Sequence, residues 1–232
     1  MNPPDYRSRL RAEYADRARR FAGSDAYSVF NRANLFAIQS RQRAVVDALR
    51  RHGLSDLSGL RILEMGCGGG GVLVEYLGLG ASPRNLYGID LLPERLPHAH
   101  FRLPASNLAN ADGASLPFPV SAFDLALQYT AISSILDPNL RRAICAELLR
   151  VTRPGGLILS YDFWLNPTNK QTLGLRPVEI RQSFPGCDIR FYKITLAPPI
   201  ARRLVPLSWM LALLLESLGI FNSHYLAAIR KP

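Results

Sequence analysis

Apolar positions recur along this chain with two periods. From Pro4 to Phe21, Tyr6, Leu10, Tyr14, Ala18 and Phe21 return every third or fourth residue with arginines between them, which predicts an amphipathic helix. Ala22-Gly23-Ser24-Asp25 breaks it. A segment from Tyr27 to Phe36 leads into a long helix from about Leu35 to His52, with Ile38, Val45, Val46 and Leu49 on its apolar face and Gly53 in the usual terminating position. Beyond that point the period changes. Short apolar runs bounded by Gly, Pro, Asn and Asp read as buried strands: Ile62–Met65, Leu86–Asp90, a short one ending near Ala111, Phe123–Tyr129 and Leu157–Asp162. Helical stretches lie between them, at Val72–Leu77, from near Pro93 and from Asp137-Pro138 through Leu148. Pro97 and Pro104 interrupt the second of these, so His98 and His100 are expected in a surface loop. Phe163–Pro177 reads as a loop, and Pro177–Phe184 as a helix with Val178, Ile180 and Phe184 in the core. Asp188–Leu196 alternates at period two and His224–Lys231 reads as the last strand.

Strand and helix alternate, which indicates an α/β fold. The organising stretch is Arg61-Ile-Leu-Glu-Met-Gly-Cys-Gly-Gly-Gly-Gly71, a buried strand feeding a glycine turn and then a helix, the opening of a nucleotide-binding βαβ unit. Gly66, Gly68 and Gly70 let the backbone turn sharply and lie against a ligand. Glu64 precedes the first glycine. A pyrophosphate on a helix N-terminus has no use for a carboxylate there, whereas a ligand carrying an ammonium group does. Asp90 closes the second strand about twenty residues further on, where a carboxylate accepts from both hydroxyls of a ribose; capping of the next helix is the competing reading. Asp112 by itself reads as a turn residue.

The sequence Glu64–Gly70, acidic-x-Gly-x-Gly-x-Gly, resembles motif I of the class I S-adenosylmethionine (SAM) methyltransferases. Three further segments are similar to that family in the same order. Asp112-Gly-Ala-Ser-Leu-Pro-Phe118 matches an Asp-Ala-x-x-Leu-Pro-Phe segment, Phe123-Asp124 precedes an apolar strand, and Arg150–Gly156 ends in Arg-Pro-Gly-Gly. The resemblance covers about Arg61 to Asp162, is to the small-molecule (type 11-like) branch, and departs from it mildly at Gly113. It implies a Rossmann-like doubly wound seven-stranded sheet, mostly parallel with an antiparallel edge strand, and helices on both faces. Residues 1–55 are then an N-terminal helical lid. Residues 56–232 form the SAM-binding domain, with an apolar helical insertion near 200–220.

For the site, the resemblance implies S-adenosyl-L-methionine as cofactor. Glu64 binds the methionine amino group directly or through water, Asp90 the ribose and Asp112 the adenine edge. Gly66, Cys67, Gly68, Leu91, Gly113 and Gln128 complete the cofactor residues, with Cys67 a small packing residue in the turn. The sulfonium is already a strong electrophile, so the protein mainly aligns donor and acceptor. Should the acceptor be a hydroxyl, Tyr129, Asp162 and Tyr27 are the candidate bases, although an unperturbed Tyr is a poor base at neutral pH. Tyr27 also fits a lid segment or ordinary helix packing.

Composition narrows the picture. The chain of 232 residues is 48% hydrophobic and carries a formal net charge of +10, almost all of its basic residues being Arg. The arginines are scattered and not interleaved with exposed aromatics, so no nucleic-acid partner is expected. The N-terminus lacks an apolar signal core, and no apolar run approaches the ~20 residues of a membrane span, which predicts a cytoplasmic enzyme. Three widely spaced cysteines suggest neither a disulfide framework nor a metal site. The stretch Leu204–Leu218 is strongly apolar and follows Arg202-Arg203. It reads as a helix buried on the sheet, as a wall of an apolar acceptor pocket, or as a helix lying in a membrane surface. The expected activity is methyl transfer, O-methylation first, to a small apolar acceptor of unspecified identity. The alternatives are a non-catalytic SAM-binding partner subunit and an RNA methyltransferase; an NAD(P)-dependent oxidoreductase is disfavoured by Glu64.

Overall fold

The computed structural model describes residues 6–165 and 171–232. The first two residues of the predicted N-terminal helix, Pro4 and Asp5, and the middle of the predicted 163–177 loop lie outside the described residues. Seven strands form a single sheet in the order β3-β2-β1-β4-β5-β7-β6. They are β1 (Ile62–Met65), β2 (Leu86–Asp90), β3 (Asn107–Asn110), β4 (Phe123–Tyr129), β5 (Thr152–Phe163), β6 (Asp188–Leu196) and β7 (Asn222–Arg230). The strands β3, β2, β1, β4 and β5 are parallel, and β7 is inserted antiparallel between β5 and the outer strand β6. This is the Rossmann-like, mixed seven-stranded sheet expected from the sequence. β1 lies between β2 and β4 and is buried along its whole length, which is why its sequence is a continuous apolar run broken only by Glu64.

Eight α-helices are described: α1 (Tyr6–Arg20), α2 (Arg32–Arg51), α3 (Gly71–Gly78), α4 (Leu96–Arg102), α5 (Pro138–Val151), α6 (Pro177–Ser183), α7 (Pro198–Leu204) and α8 (Trp209–Ser217). One face of the sheet takes α2, α3 and α4, with Val45, Leu49, Leu73, Tyr76 and Leu96 against Ile62, Leu125 and Leu127. The other takes α5 and α6, with Ile144, Leu148, Ile180 and Phe184 against Leu63, Ala126 and Ile158, and Leu10 of α1 joins that core. α2 starts at Arg32 because the Asn31 side chain accepts from the Ala33 and Asn34 amides. Asp124 accepts from the Arg61 amide at 2.8 Å and pairs with Arg153 at 2.6 Å, holding the approach to β1 against β4.

Three local expectations are corrected. His98 and His100 stand on α4 rather than in a loop, because Pro97 falls in its first turn, where a missing N–H costs nothing. Val178 is exposed; only Ile180 and Phe184 of that helix reach the core. The stretch Leu204–Leu218 is not one buried helix. It divides at Pro206-Leu207, Ser208 caps α8, and only Val205 and Ala212 of the stretch are fully buried, in a small cluster with Phe36 and Leu196.

Candidate functional site

The strand order reverses between β1 and β4. Open α/β sheets bind ligands outside the strand ends at such a point. Here the crevice is tight. Gly66 sits at φ +79°, and a Cβ on it would lie 2.8 Å from that of Ala131 beyond β4. The amides of Gly66 and Cys67 both donate to Ile89 O, at 2.8 and 2.9 Å, which ties the glycine turn to the end of β2. Gly68, at φ +51°, donates its amide to Asp90 Oδ2 at 2.7 Å. Asp90 Oδ1 accepts from the Leu92 amide at 2.9 Å. Asp90 therefore joins the glycine turn to the loop after β2.

Above these strand ends lies a cavity of about 710 Å³. Its floor includes Gly66, Asp90, Leu91, Asp112, Gly113 and Thr130, and Tyr129 reaches its edge. Its roof is α1, through Tyr6, Leu10, Tyr14 and Ala18, continued by Phe21 just past the helix end, with Tyr27 at the rim. The face of α1 that the periodicity marks as apolar thus covers a cavity.

Both floor carboxylates already have cationic or hydroxyl partners. Arg95 Nη1 stands 3.4 Å from Asp90 Oδ2, and its guanidinium lies over Gly68 and 4.4 Å from the ring centroid of Tyr14. Asp112 Oδ2 accepts from the Tyr6 hydroxyl and, at 3.0 Å, from Arg7; its Oδ1 accepts from the Ala114 amide at 2.9 Å. Burial pushes the Asp112 carboxyl upward, but the hydrogen bonds from Tyr6, Ala114 and Arg7 outweigh it and hold the group below its usual value. Burial, reinforced by Asp112, drives the Tyr6 hydroxyl up to about 12.

Five of the site residues expected from the sequence do not line this cavity: Gly68, which the Arg95 guanidinium covers, and Glu64, Cys67, Gln128 and Asp162. Glu64 is 2% exposed and turned toward the α2–α3 face, beneath the glycine turn. Its Oε2 has no hydrogen-bond partner among the described residues. Burial pushes its carboxyl up to about 8, against the pull of Arg41. Cys67 packs its sulfur 2.9 Å from where a Cβ on Gly88 would stand, and burial raises its thiol. Gln128 is wholly buried. Its Oε1 accepts from the Ala131 and Ile132 amides, and its Nε2 donates to Ser160 Oγ at 2.6 Å. Asp162 accepts from the Ser133 amide at 3.0 Å and from the Phe163 amide, and burial lifts it to about 6 against those bonds. Gln128 and Asp162 together fix the loop after β4 from below. Arg141, buried on α5, secures the same loop from the side through Ile135 O and joins it to Leu173 O and Glu179.

Tyr129 is the one catalytic candidate that is both buried and at the cavity. Its hydroxyl is 2.9 Å from that of Tyr76, and Arg41, paired with Glu75, lies 5.4 Å from its ring. Burial raises the Tyr129 hydroxyl above its ordinary value. Tyr129 also borders a second cavity, of about 780 Å³, along α2 and α3. Tyr27 is exposed and accepts from Arg17 at 2.7 Å.

The sequence does not mark Tyr6, Arg7, Tyr14 or Arg95 as site residues; Thr130 it places, with Gln128 and Tyr129, at the C-terminal end of β4, where open α/β sheets bind ligands. The aromatic spacing on α1 was the available signal for Tyr6 and Tyr14, but it is equally the signal of a core face. Thr130 has φ +56°, a conformation costing a β-branched residue on the order of 1–3 kcal/mol and concentrated at functional sites. Its amide donates to Tyr161 O at 2.7 Å, which holds it there.

Residues 63–160 match a methyltransferase-domain family model. The chain is 38% identical over 117 residues to the phthiotriol/phenolphthiotriol dimycocerosates methyltransferase of Mycobacterium leprae, covering 50% of this chain and 41% of that protein. It is 33% identical over 113 residues to the ubiquinone biosynthesis O-methyltransferase of Cereibacter sphaeroides, covering 47% of this chain and 43% of that one. The chain thus spans less than half the length of these relatives. Among solved structures it superposes on a SAM-bound amino pentose methyltransferase from Micromonospora echinaspora. The TM-score is 0.58 at 16% identity, over 82% of this chain and 90% of the other, a likeness of fold.

Proposed function

We propose, from the premise that residues 63–160 make this chain a class I, Rossmann-like SAM-dependent methyltransferase, that it transfers a methyl group from SAM to a small apolar acceptor, by O-methylation. The observation that carries the reading is the cavity itself, with two carboxylates at the ends of β2 and β3, positive-φ glycines at the end of β1 and an apolar roof. The residues fit SAM. Asp90 would offer lone pairs to ribose hydroxyls and Asp112 would accept from the adenine amino group, while Gly66, and Gly68 once Arg95 moves aside, would allow close backbone approach. Glu64, mostly protonated at neutral pH in the protein alone, would ionise as a methionine ammonium came to its orphaned Oε2 beneath the turn. Bound SAM supplies a methyl group already activated on a sulfonium.

The chain's own residues align and enclose the reactants. α1 and the Tyr27 turn would act as the lid, their opening freeing Asp112 from Tyr6 and lifting Tyr14 off Arg95. Leu10, Ala18, Phe21, Ile135 and Ile144 present apolar wall to the acceptor. Tyr129, its hydroxyl tied to that of Tyr76 in the α2–α3 core, gives the cavity only an edge and does not take the acceptor's proton. Tyr27 stands at the mouth in contact with solvent, where a proton can leave. Asp162 acts by fixing the loop on which Ala131 and Ser133 stand. The names of the mycobacterial and ubiquinone-pathway relatives favour a lipid or quinol hydroxyl.

Calorimetric titration with SAM and S-adenosylhomocysteine, with NAD as control, tests the cofactor. Transfer of labelled methyl from SAM to a panel of hydroxylated lipids and quinols, with the product identified by mass spectrometry, tests the acceptor. Binding of NAD in place of SAM would overturn the reading.

A further inference from the structure

Helix α8 does not bury most of its apolar surface. Met210 is 73% exposed, and Leu214 and Leu218 lie on the same helical face and are exposed with it. Leu207, in the turn before α8, is 83% exposed, and Ile220, just after it, is also out in solvent. The cavity takes no lining from this region, so these side chains are not waiting for the acceptor. Contiguous exposed apolar surface of this kind marks an interaction site.

Two observations identify the occupant. The first is charge. From residue 189 to 232 the only acidic residue is Glu216, and it is turned inward to Arg43 at 3.0 Å. Arg202 and Arg203 on α7 are exposed beside the apolar helix, and the whole chain carries +10. Apolar residues bordered by arginines suit an anionic lipid surface, with aliphatic side chains among the acyl boundary and guanidinium groups on the head groups. Among the described residues no helix is long and apolar enough to cross a membrane, so the contact is peripheral.

The second observation is position. Arg32, at the start of α2, donates to Pro206 O at 3.1 Å, and Phe36 meets Trp209 with ring centroids 5.1 Å apart. The loop before α2 is thereby held beside the α7–α8 turn. That loop carries Phe30, 91% exposed, and three residues earlier Tyr27 on the rim of the cavity. The exposed apolar surface therefore runs from α8 through Leu207 and Phe30 to the mouth of the site.

We infer that α8, the α7–α8 turn and the Phe30 loop dock this protein on an anionic membrane surface, with the cavity mouth beside the lipid. An acceptor dissolved in the bilayer then reaches the cavity without crossing bulk water. Only this last step rests on the proposed function; docking itself does not.

The test is co-sedimentation of the full chain with vesicles of phosphatidylglycerol and phosphatidylcholine, against vesicles of phosphatidylcholine alone, without SAM or acceptor. The expected result is partition onto the anionic vesicles at least about tenfold above the neutral ones. The pair Met210→Glu and Leu214→Glu is expected to lower it about tenfold or more, and so is the pair Arg202→Ala and Arg203→Ala. S-adenosylhomocysteine affinity and melting temperature, measured on each variant, report that the fold is kept. Wild-type protein that stays in the supernatant, binding that ignores lipid charge, or glutamate variants that sediment like wild type would each overturn the proposal. So would a wild-type dimer that ignores vesicles and dissociates in the glutamate variants, since a second copy would then own the patch. Failure here leaves SAM binding and methyl transfer untouched.

Discussion

Replacement of Asp90 by Asn separates the bracing that its carboxylate performs from the ribose contact proposed for it. In the protein alone, its two oxygens accept from the Gly68 amide at 2.7 Å and the Leu92 amide at 2.9 Å, in a buried setting. Asn keeps one acceptor oxygen and puts an NH₂ in place of the other. One of those amides then faces a donor, and an unsatisfied buried donor costs ~1–3 kcal/mol. At roughly 2–4 °C per kcal/mol for a chain of this size, the melting temperature should fall by about 2–12 °C. Ligand binding loses more. A hydrogen bond to a charged acceptor contributes ~1.5–3 kcal/mol against ~0.5–1.5 for a neutral one, so ribose recognition weakens by ~1–2 kcal/mol, about five- to thirtyfold in Kd. Calorimetry with S-adenosylhomocysteine reads the affinity, and differential scanning fluorimetry the stability. An affinity within about twofold of wild type would refute the ribose assignment whatever the stability did. A lowered affinity with an unmoved melting temperature would refute the claim that Asp90 braces the glycine turn.

Three further outcomes are expected. Gly66→Ala must hold φ +79° and place a Cβ 2.8 Å from that of Ala131, so it should weaken S-adenosylhomocysteine binding by at least about tenfold and lower the melting temperature; calorimetry and fluorimetry check both. Glu64 has a folded-state value raised to about 8 from 4.5, so its contribution to stability is complete below pH 4.5 and is lost as pH rises toward 8. Glu64→Gln should therefore flatten the melting temperature between pH 5 and pH 8 relative to wild type, while weakening SAM binding at pH 8 if its charge draws the ammonium. Tyr6→Phe removes the hydroxyl that holds Asp112, so stopped-flow fluorescence should show faster association of S-adenosylhomocysteine, by roughly two- to tenfold; an unchanged rate would mean that α1 does not gate the site.

The sheet was legible because its signals are local. Ile62–Met65, Leu86–Asp90 and Phe123–Tyr129 are apolar runs closed by a glycine, an aspartate or a polar turn, and each is a strand with those bounds. Gly66 and Asp90 were legible for the same reason, since position along a βαβ unit places them at the strand ends. Side-chain direction was not. Glu64 and Met65 are neighbours in sequence, but successive residues of a strand face opposite sides, and only Met65 looks into the cavity. Gln128 and Asp162 have the polarity of site residues, and only tertiary contact reveals that they spend it on the loop after β4. The roles of Tyr6 and Arg95 depend on contacts across long or folded-back chain, to Asp112 and Asp90, and no periodicity encodes those. The apolar stretch Leu204–Leu218 carried the opposite ambiguity, because hydrophobicity alone does not say whether a side chain meets protein or something else.

The bracing of the loop after β4 bears on how such a protein can change its chemistry over evolutionary time. With Gln128 and Asp162 beneath that loop and Arg141 beside it, substitutions there disturb several buried partners at once. The opposite wall is a single helix whose Leu10, Tyr14 and Ala18, with Phe21 just past its end, touch the cavity from one contiguous stretch of sequence. On the proposed function, new acceptor preferences would accumulate on α1 by exchanging those side chains, while Gly66 and Asp90 would go on serving the donor. Donor recognition and acceptor choice would then be inherited largely on separate segments of the gene, joined only where Tyr6 and Tyr14 of α1 reach Asp112 and Arg95.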